Sequence, residues 1–261
     1  MNNSFTLEVC VDSIESAIAA ENGGADRLEL CSALDLGGLT PSIGLVAIVK
    51  QKITIPVFMM IRPRSGGFVY SEEDVQTMIK DIEMGSFLGV DGFVTGALTS
   101  DHMVDKPLCL ELIRAARGKP VTFHRAFDLM TCDVESALTD IISLGFSRIL
   151  TSGRAKSAYH GMYIIKELIE NVGTQITIMP GCGINDQNII AIVKETEAIE
   201  YHSSGRFKTP ETPNETPVVE GTEFYKSVDP YAVEFGEAQL LSSSSDVFNN
   251  IRIFCIAESN F

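Results

Sequence analysis

The stretch Gly24-Ala25-Asp26-Arg27-Leu28-Glu29-Leu30-Cys31 decides the fold. Its handover from helix to strand returns as Gly89-Val90-Asp91-Gly92-Phe93-Val94 and as Gly145-Phe146-Ser147-Arg148-Ile149-Leu150. In each copy a glycine stands where a helix ends in a left-handed cap, and an apolar strand starts about three residues later. Short apolar runs of the same kind occupy residues 5–11, 27–32, 56–62, 92–98, 120–127, 148–151, 175–180 and 198–202, with helical patterns between them. Helix starts are marked as well. Asp12-Ser13 precedes one, Ser71-Glu72-Glu73-Asp74 opens another, and Asn185-Asp186 precedes a third. Strand–helix alternation repeated eight times predicts parallel βαβ units closed into a single-domain (β/α)8 barrel of the TIM type. A doubly wound open sheet is the competing fold, but no Gly-x-Gly-x-x-Gly follows the first strand.

The barrel core is expected over residues 1–206. From 207 to 245 the chain turns rich in Pro, Thr and Ser, including Thr209-Pro210-Glu211-Thr212-Pro213, and reads as a mobile excursion. Residues 246–261 carry Val247, Ile251 and Phe254 at helical spacing and read as a closing helix of the same domain.

The 261 residues are 45% hydrophobic and 21% charged, as in a globular protein with a sizeable core. A net charge of −15 argues against nucleic acid and anionic membrane surfaces as partners. No apolar run approaches the roughly 20 residues needed to span a bilayer. The start Met1-Asn2-Asn3-Ser4 has neither a basic region nor an apolar core, so the six cysteines are expected to be reduced thiols: buried hydrophobes, ligands or nucleophiles.

Chemistry in such barrels gathers at the C-terminal ends of the strands. The first strand ends Glu8-Val9-Cys10, the second Glu29-Leu30-Cys31, and the eighth Glu200-Tyr201-His202. Side chains alternate along a strand, so each Glu shares its interior face with the Cys or His two residues on. Neighbouring strands lie about 4.8 Å apart, so Cys10 and Cys31, if in register, suit one small soft ion. Among soft ions a two-thiolate site favours Cu(I), since zinc wants four ligands. Two buried structural thiols are the plainer alternative. Further polar residues fall at other strand ends: Arg62 and Arg64 after the third, His124, Arg125 and Asp128 after the fifth, and Ser152 after the sixth. Gly181 and Gly183 follow the seventh strand, and His202 and Arg206 the eighth. Glycine loops there can cradle a phosphate through backbone N–H groups, or merely shape tight turns. Arg62, His124 and Arg125 can equally neutralise Glu8, Glu29 or Asp128. His102 and His160 read as solvated surface residues.

Taken together, Leu7-Glu8-Val9-Cys10-Val11-Asp12-Ser13, Gly24 to Ser32, Gly37-Gly38-Leu39-Thr40-Pro41-Ser42, Met60-Ile61-Arg62-Pro63-Arg64, Thr122 to Asp128, Leu150-Thr151-Ser152-Gly153 and Ile178-Met179-Pro180-Gly181 resemble the CutC family. The resemblance runs from about residue 5 to 206. It implies a TIM-like barrel, a cytoplasmic location with a nuclear pool allowed, a homo-oligomer (dimer or tetramer) and a role in copper homeostasis. It assigns Cu(I) to Cys10 and Cys31 as metal ligands; on the copper reading, Met59, Met60 or His202 would help them. The sequence departs from the family at Cys182, where glycine or alanine is usual, and at Ser204-Gly205. A second reading is an enzyme for a small anionic or phosphorylated metabolite. Glu8, Glu29 and Glu200 would there work as acid/base groups, His124 as a proton relay, and Arg62, Arg64, Arg206 and the Gly181–Gly183 loop as an anion cradle.

Overall fold

The structure, a computed structural model, describes residues 5–205. Eight parallel strands alternate with seven helices. The strands are β1 (Thr6–Val11), β2 (Arg27–Leu30), β3 (Val57–Met60), β4 (Gly92–Thr95), β5 (Val121–Phe123), β6 (Arg148–Thr151), β7 (Thr177–Pro180) and β8 (Glu200–Ser203). Between them run α1 (Ile14–Asn22), α2 (Ile43–Lys52), α3 (Glu72–Phe87), α4 (Lys106–Ala115), α5 (Val134–Leu144), α6 (Ala158–Val172) and α7 (Ile189–Thr196). The ladder runs β7-β6-β5-β4-β3-β2-β1-β8, and β7 and β8 meet across the remaining seam, so the barrel is nearly closed. Arg206 and the segments 207–245 and 246–261 lie outside the described residues.

The handover glycines behave as the sequence requires. Gly24, Gly89 and Gly145 have φ of 89°, 80° and 91°, which L side chains rarely adopt. Ser13 caps α1, and Ser71 with Asp74 closes a full capping box on α3. The start expected at Asn185-Asp186 comes later: α7 begins at Ile189, because Asn185 and Asn188 spend their side chains on a preceding turn. Strand five is also shorter than its apolar run. It stops at Phe123, since the His124 ring accepts from Ala126 N–H and starts a 3-10 helix over Arg125–Leu129.

Strand parity divides the core. Leu7, Val9, Val11, Leu28, Leu30, Met59 and Phe93 pack outward beneath the helices in one large cluster. Inside the barrel Cys31, Phe58, Met60 and Val94 form a small second cluster. Phe58 fits only because Gly92 stands opposite, where a Cβ would sit 2.5 Å from its ring.

Candidate functional site

The first interior layer, at the start of the strands, is ionic. Arg27 donates to Glu8 over 2.6 Å through Nε and to Glu200 through Nη2. Arg148 reaches the same Glu200 through Nε at 2.9 Å and Nη2 at 3.2 Å. Both guanidinium groups stand 5.0 Å from the centre of the Phe58 ring. Neither arginine was marked by sequence reasoning, although Arg27 shares its strand face with Glu29. Glu8 and Glu200 are thereby counter-charges in one network, and the arginine beside Glu8 is Arg27, whereas Arg125 pairs with Asp128, as one expected alternative had it.

Glu8 also meets His202, whose Nδ1 lies 2.8 Å from its Oε1. Burial alone would raise the Glu8 pKa, but the His202 hydrogen bond and the Arg27 charge overcome it and hold the group at about 2, against an ordinary 4.5. A depressed carboxylate stabilises the fold fully above its unfolded pKa and loses that contribution as pH falls through the folded value. Urea midpoints followed from pH 6 downward should therefore fall for the wild type between about pH 4.5 and 2. Glu8→Gln should start less stable and show a flatter slope over that window. Parallel slopes for the two proteins would remove Glu8 from the account.

One layer higher the register departs from expectation. Cys10 pairs with Glu29, not with Cys31, because β1 and β2 align Glu8 with Arg27. The two thiols are offset by one inward position. What converges instead is Cys10, Glu29 and His202, all buried, with one ligand atom from each within 4.8 Å of the others. Cys31 stays close, its thiol donating to Glu29 Oε2 at 3.4 Å. Burial, then Glu29 and Cys10, push the Cys31 pKa well above its usual value. Burial also raises Glu29, against the pull of His202. For His202 burial acts downward, yet Cys10 and Glu29 outweigh it and keep the imidazole protonated well above its ordinary range.

Cys10, Glu29 and His202 line a cavity of about 390 Å³ at the C-terminal ends of the strands, whose other side holds Met60, Arg62 and His124. Gly181 shapes its wall, since a Cβ there would meet Leu150 at 2.4 Å and His202 at 3.2 Å. The Gly181 N–H is spent on Thr151 O, so it is no phosphate donor.

Other expected site residues take different places. Asp128 accepts from Thr151 Oγ1, the Ser152 and Arg154 backbone N–H groups, and Arg125 Nε, tying the end of β5 to the end of β6. Ser152 is absorbed in that staple. Arg64 does not face the mouth as expected. It turns outward to Asp74 at 2.8 Å and Val69 O at 2.7 Å, a half-exposed link to the start of α3. Arg62 turns inward and bonds backbone carbonyls at Leu36, Gly38 and Gly66. Burial and the Arg62 charge lower the His124 pKa to about 3, so its ring is neutral near pH 7. Met59 faces the helices, whereas Met60 lies inside. His160 caps against Ser157, and His102 is exposed, both on the surface as expected. Among the described residues, no helix is long and apolar enough to cross a membrane.

The profile of the CutC family matches residues 5–207. A human copper homeostasis protein cutC homolog is 52% identical over 204 residues, covering 78% of this chain and 74% of the relative. A Caenorhabditis elegans protein of the same name is 47% identical over 199 residues, 76% of this chain and 79% of its own. The crystal structure of a CutC protein from Streptococcus agalactiae superposes with a TM-score of 0.74 at 32% identity, covering 77% of this chain and 98% of that one. A 2,3-dimethylmalate lyase structure, at TM-score 0.57 and 16% identity, covers 78% and 77% and shows the fold alone.

Proposed function

Because the chain belongs to the CutC family, we propose that it serves copper homeostasis by holding one Cu(I) ion, as cargo, at the mouth of its barrel. The observation that carries this is the convergence of Cys10 and His202 within a buried, sulfur-lined recess, with Cys31 one inward position above. A thiolate and an imidazole are the donors that Cu(I) prefers, and a carboxylate is not. Glu29 therefore acts beside the ion, holding Cys31 by its hydrogen bond rather than competing for the metal. The Cys31 thiol and the His202 imidazole hold their protons when metal-free, so copper enters in exchange for protons. Reduced thiols suit a cytoplasmic buffer or carrier.

X-ray absorption on the copper-loaded full chain tests the reading. The expected spectrum shows one Cu(I) per chain with sulfur and imidazole nitrogen as nearest scatterers. A chain that takes up no Cu(I) against a competing chelator, or one whose copper sees only oxygen and nitrogen, would end it.

A further inference from the structure

The cavity has a second side, formed by β3 and β5 across the barrel from Cys10 and His202. There His124 is 3% exposed and Arg62 is 7% exposed, and both rest against the Phe68 ring, His124 with its centroid 4.6 Å away and Arg62 at 5.0 Å. His124 Nδ1 accepts from the Ala126 backbone N–H, so the proton of the neutral ring must sit on Nε2. Among the described residues that Nε2–H has no partner, and neither does Arg62 Nε–H, although both atoms are buried. Arg62 is satisfied elsewhere by backbone carbonyls alone, and among the described residues it makes no ion pair. A buried cation without a counter-ion and two buried donors without acceptors are each costly. A third orphan belongs to another residue of the same cavity: Glu29 Oε1, an acceptor without a partner among the described residues.

We infer that the cavity binds a small hydroxycarboxylic acid, its carboxylate accepting from Arg62 Nε–H and His124 Nε2–H and its hydroxyl donating to Glu29 Oε1. A monoanion matches the guanidinium of Arg62, which has no ion pair among the described residues, and the two donors suit a carboxylate. A phosphate dianion would need more, and the Gly181 N–H is already taken. Leu34, Leu36, Met60 and Leu150 supply an apolar wall for the carbon skeleton. A volume of about 390 Å³ lies at the small end of ligand sites. The inference does not rest on copper; of the expected anion cradle it keeps Arg62, adds the neutral His124 and leaves out Arg64, which turns outward. The low His124 pKa agrees with a ring that donates rather than carries charge.

The experiment is a titration of the full, reduced, copper-free chain, with the histidine ring nitrogens labelled, followed by NMR. The probes are lactate, propionate and inorganic phosphate at matched ionic strength. His124 should show the Nε2–H tautomer, and lactate should shift that signal saturably at about millimolar concentration. Propionate, lacking the hydroxyl, should bind about 10-fold more weakly, and phosphate more weakly still. His124→Phe, which keeps the ring stack and removes the donor, should weaken lactate at least about 10-fold, measured by calorimetry. Arg62→Gln should do the same, and if that variant fails to fold, His124→Phe alone decides. Absence of saturable lactate binding, phosphate binding as tight as lactate, or lactate affinity unchanged in His124→Phe overturns the site. Equal lactate and propionate affinity overturns the Glu29 contact. None of these outcomes alters the copper titration, so the two readings fail separately.

Discussion

An Arg27→Met variant is expected to lose about 3–5 kcal/mol of folding stability, the cost of leaving a buried charge without its partner. Among the described residues Arg27 alone joins Glu8 to Glu200, and Glu8 is wholly buried. Glu200 keeps both contacts to Arg148, so the uncompensated charge falls mainly on Glu8, left with His202 alone. Methionine preserves the side-chain length and part of the contact with Phe58, so a lost cavity wall is not the main effect. Urea unfolding should show a lower midpoint with an unchanged slope. Adding Glu8→Leu to Arg27→Met should recover a good part of the loss, since an apolar pair of similar volume replaces an ion pair at little cost. A loss below about 1 kcal/mol, or no recovery in the double variant, would mean that solvent already reaches this layer.

The second large effect concerns the cargo. A Cys10→Ser/Cys31→Ser double variant should bind Cu(I) at least about 100-fold more weakly than wild type in competition with a chelator. Losing an outer hydrogen-bonding partner of a metal ligand already costs 10- to 100-fold, and losing the ligand itself costs no less. Serine keeps the size and a hydroxyl but replaces a soft donor by a hard one. The single variants divide the effect. Cys10 stands inside the cluster with His202, whereas Cys31 stands above it and bonds Glu29, so Cys10→Ser should account for the larger share. Unchanged affinity and stoichiometry in the double variant would sink the two-thiol assignment.

Much of this was readable before any coordinates. The recurring apolar runs located all eight strands, three of them marked by the glycine handover, and parity along β1, β2 and β8 placed Glu8, Cys10, Glu29, Cys31 and His202 on the interior face. Register was not readable, because it depends on how far each strand slides along its neighbour, and nothing local encodes that. The slide brings Glu29 beside Cys10 and leaves the thiols offset. Arg27 and Arg148 were overlooked because an arginine just after a helix cap looks like a solvated boundary residue. The signal was present, since both stand three residues after the repeat glycine, in Gly24-Ala25-Asp26-Arg27 and Gly145-Phe146-Ser147-Arg148. Arg64 misled for the opposite reason. It follows a proline two residues past the interior position of Arg62, where the chain has left the strand and alternation no longer applies.

The ionic layer beneath the cavity also has a traffic consequence. Arg27, Arg148, Glu8, Glu200 and Phe58 fill the barrel below Cys10, so among the described residues the cavity is closed beneath and opens at the strand ends. Whatever enters at the strand ends must leave by the same opening. If the proposed ion is cargo, a donor and an acceptor cannot be served at once, and loading and unloading take turns at the strand ends. Any partner that blocks the mouth stops both.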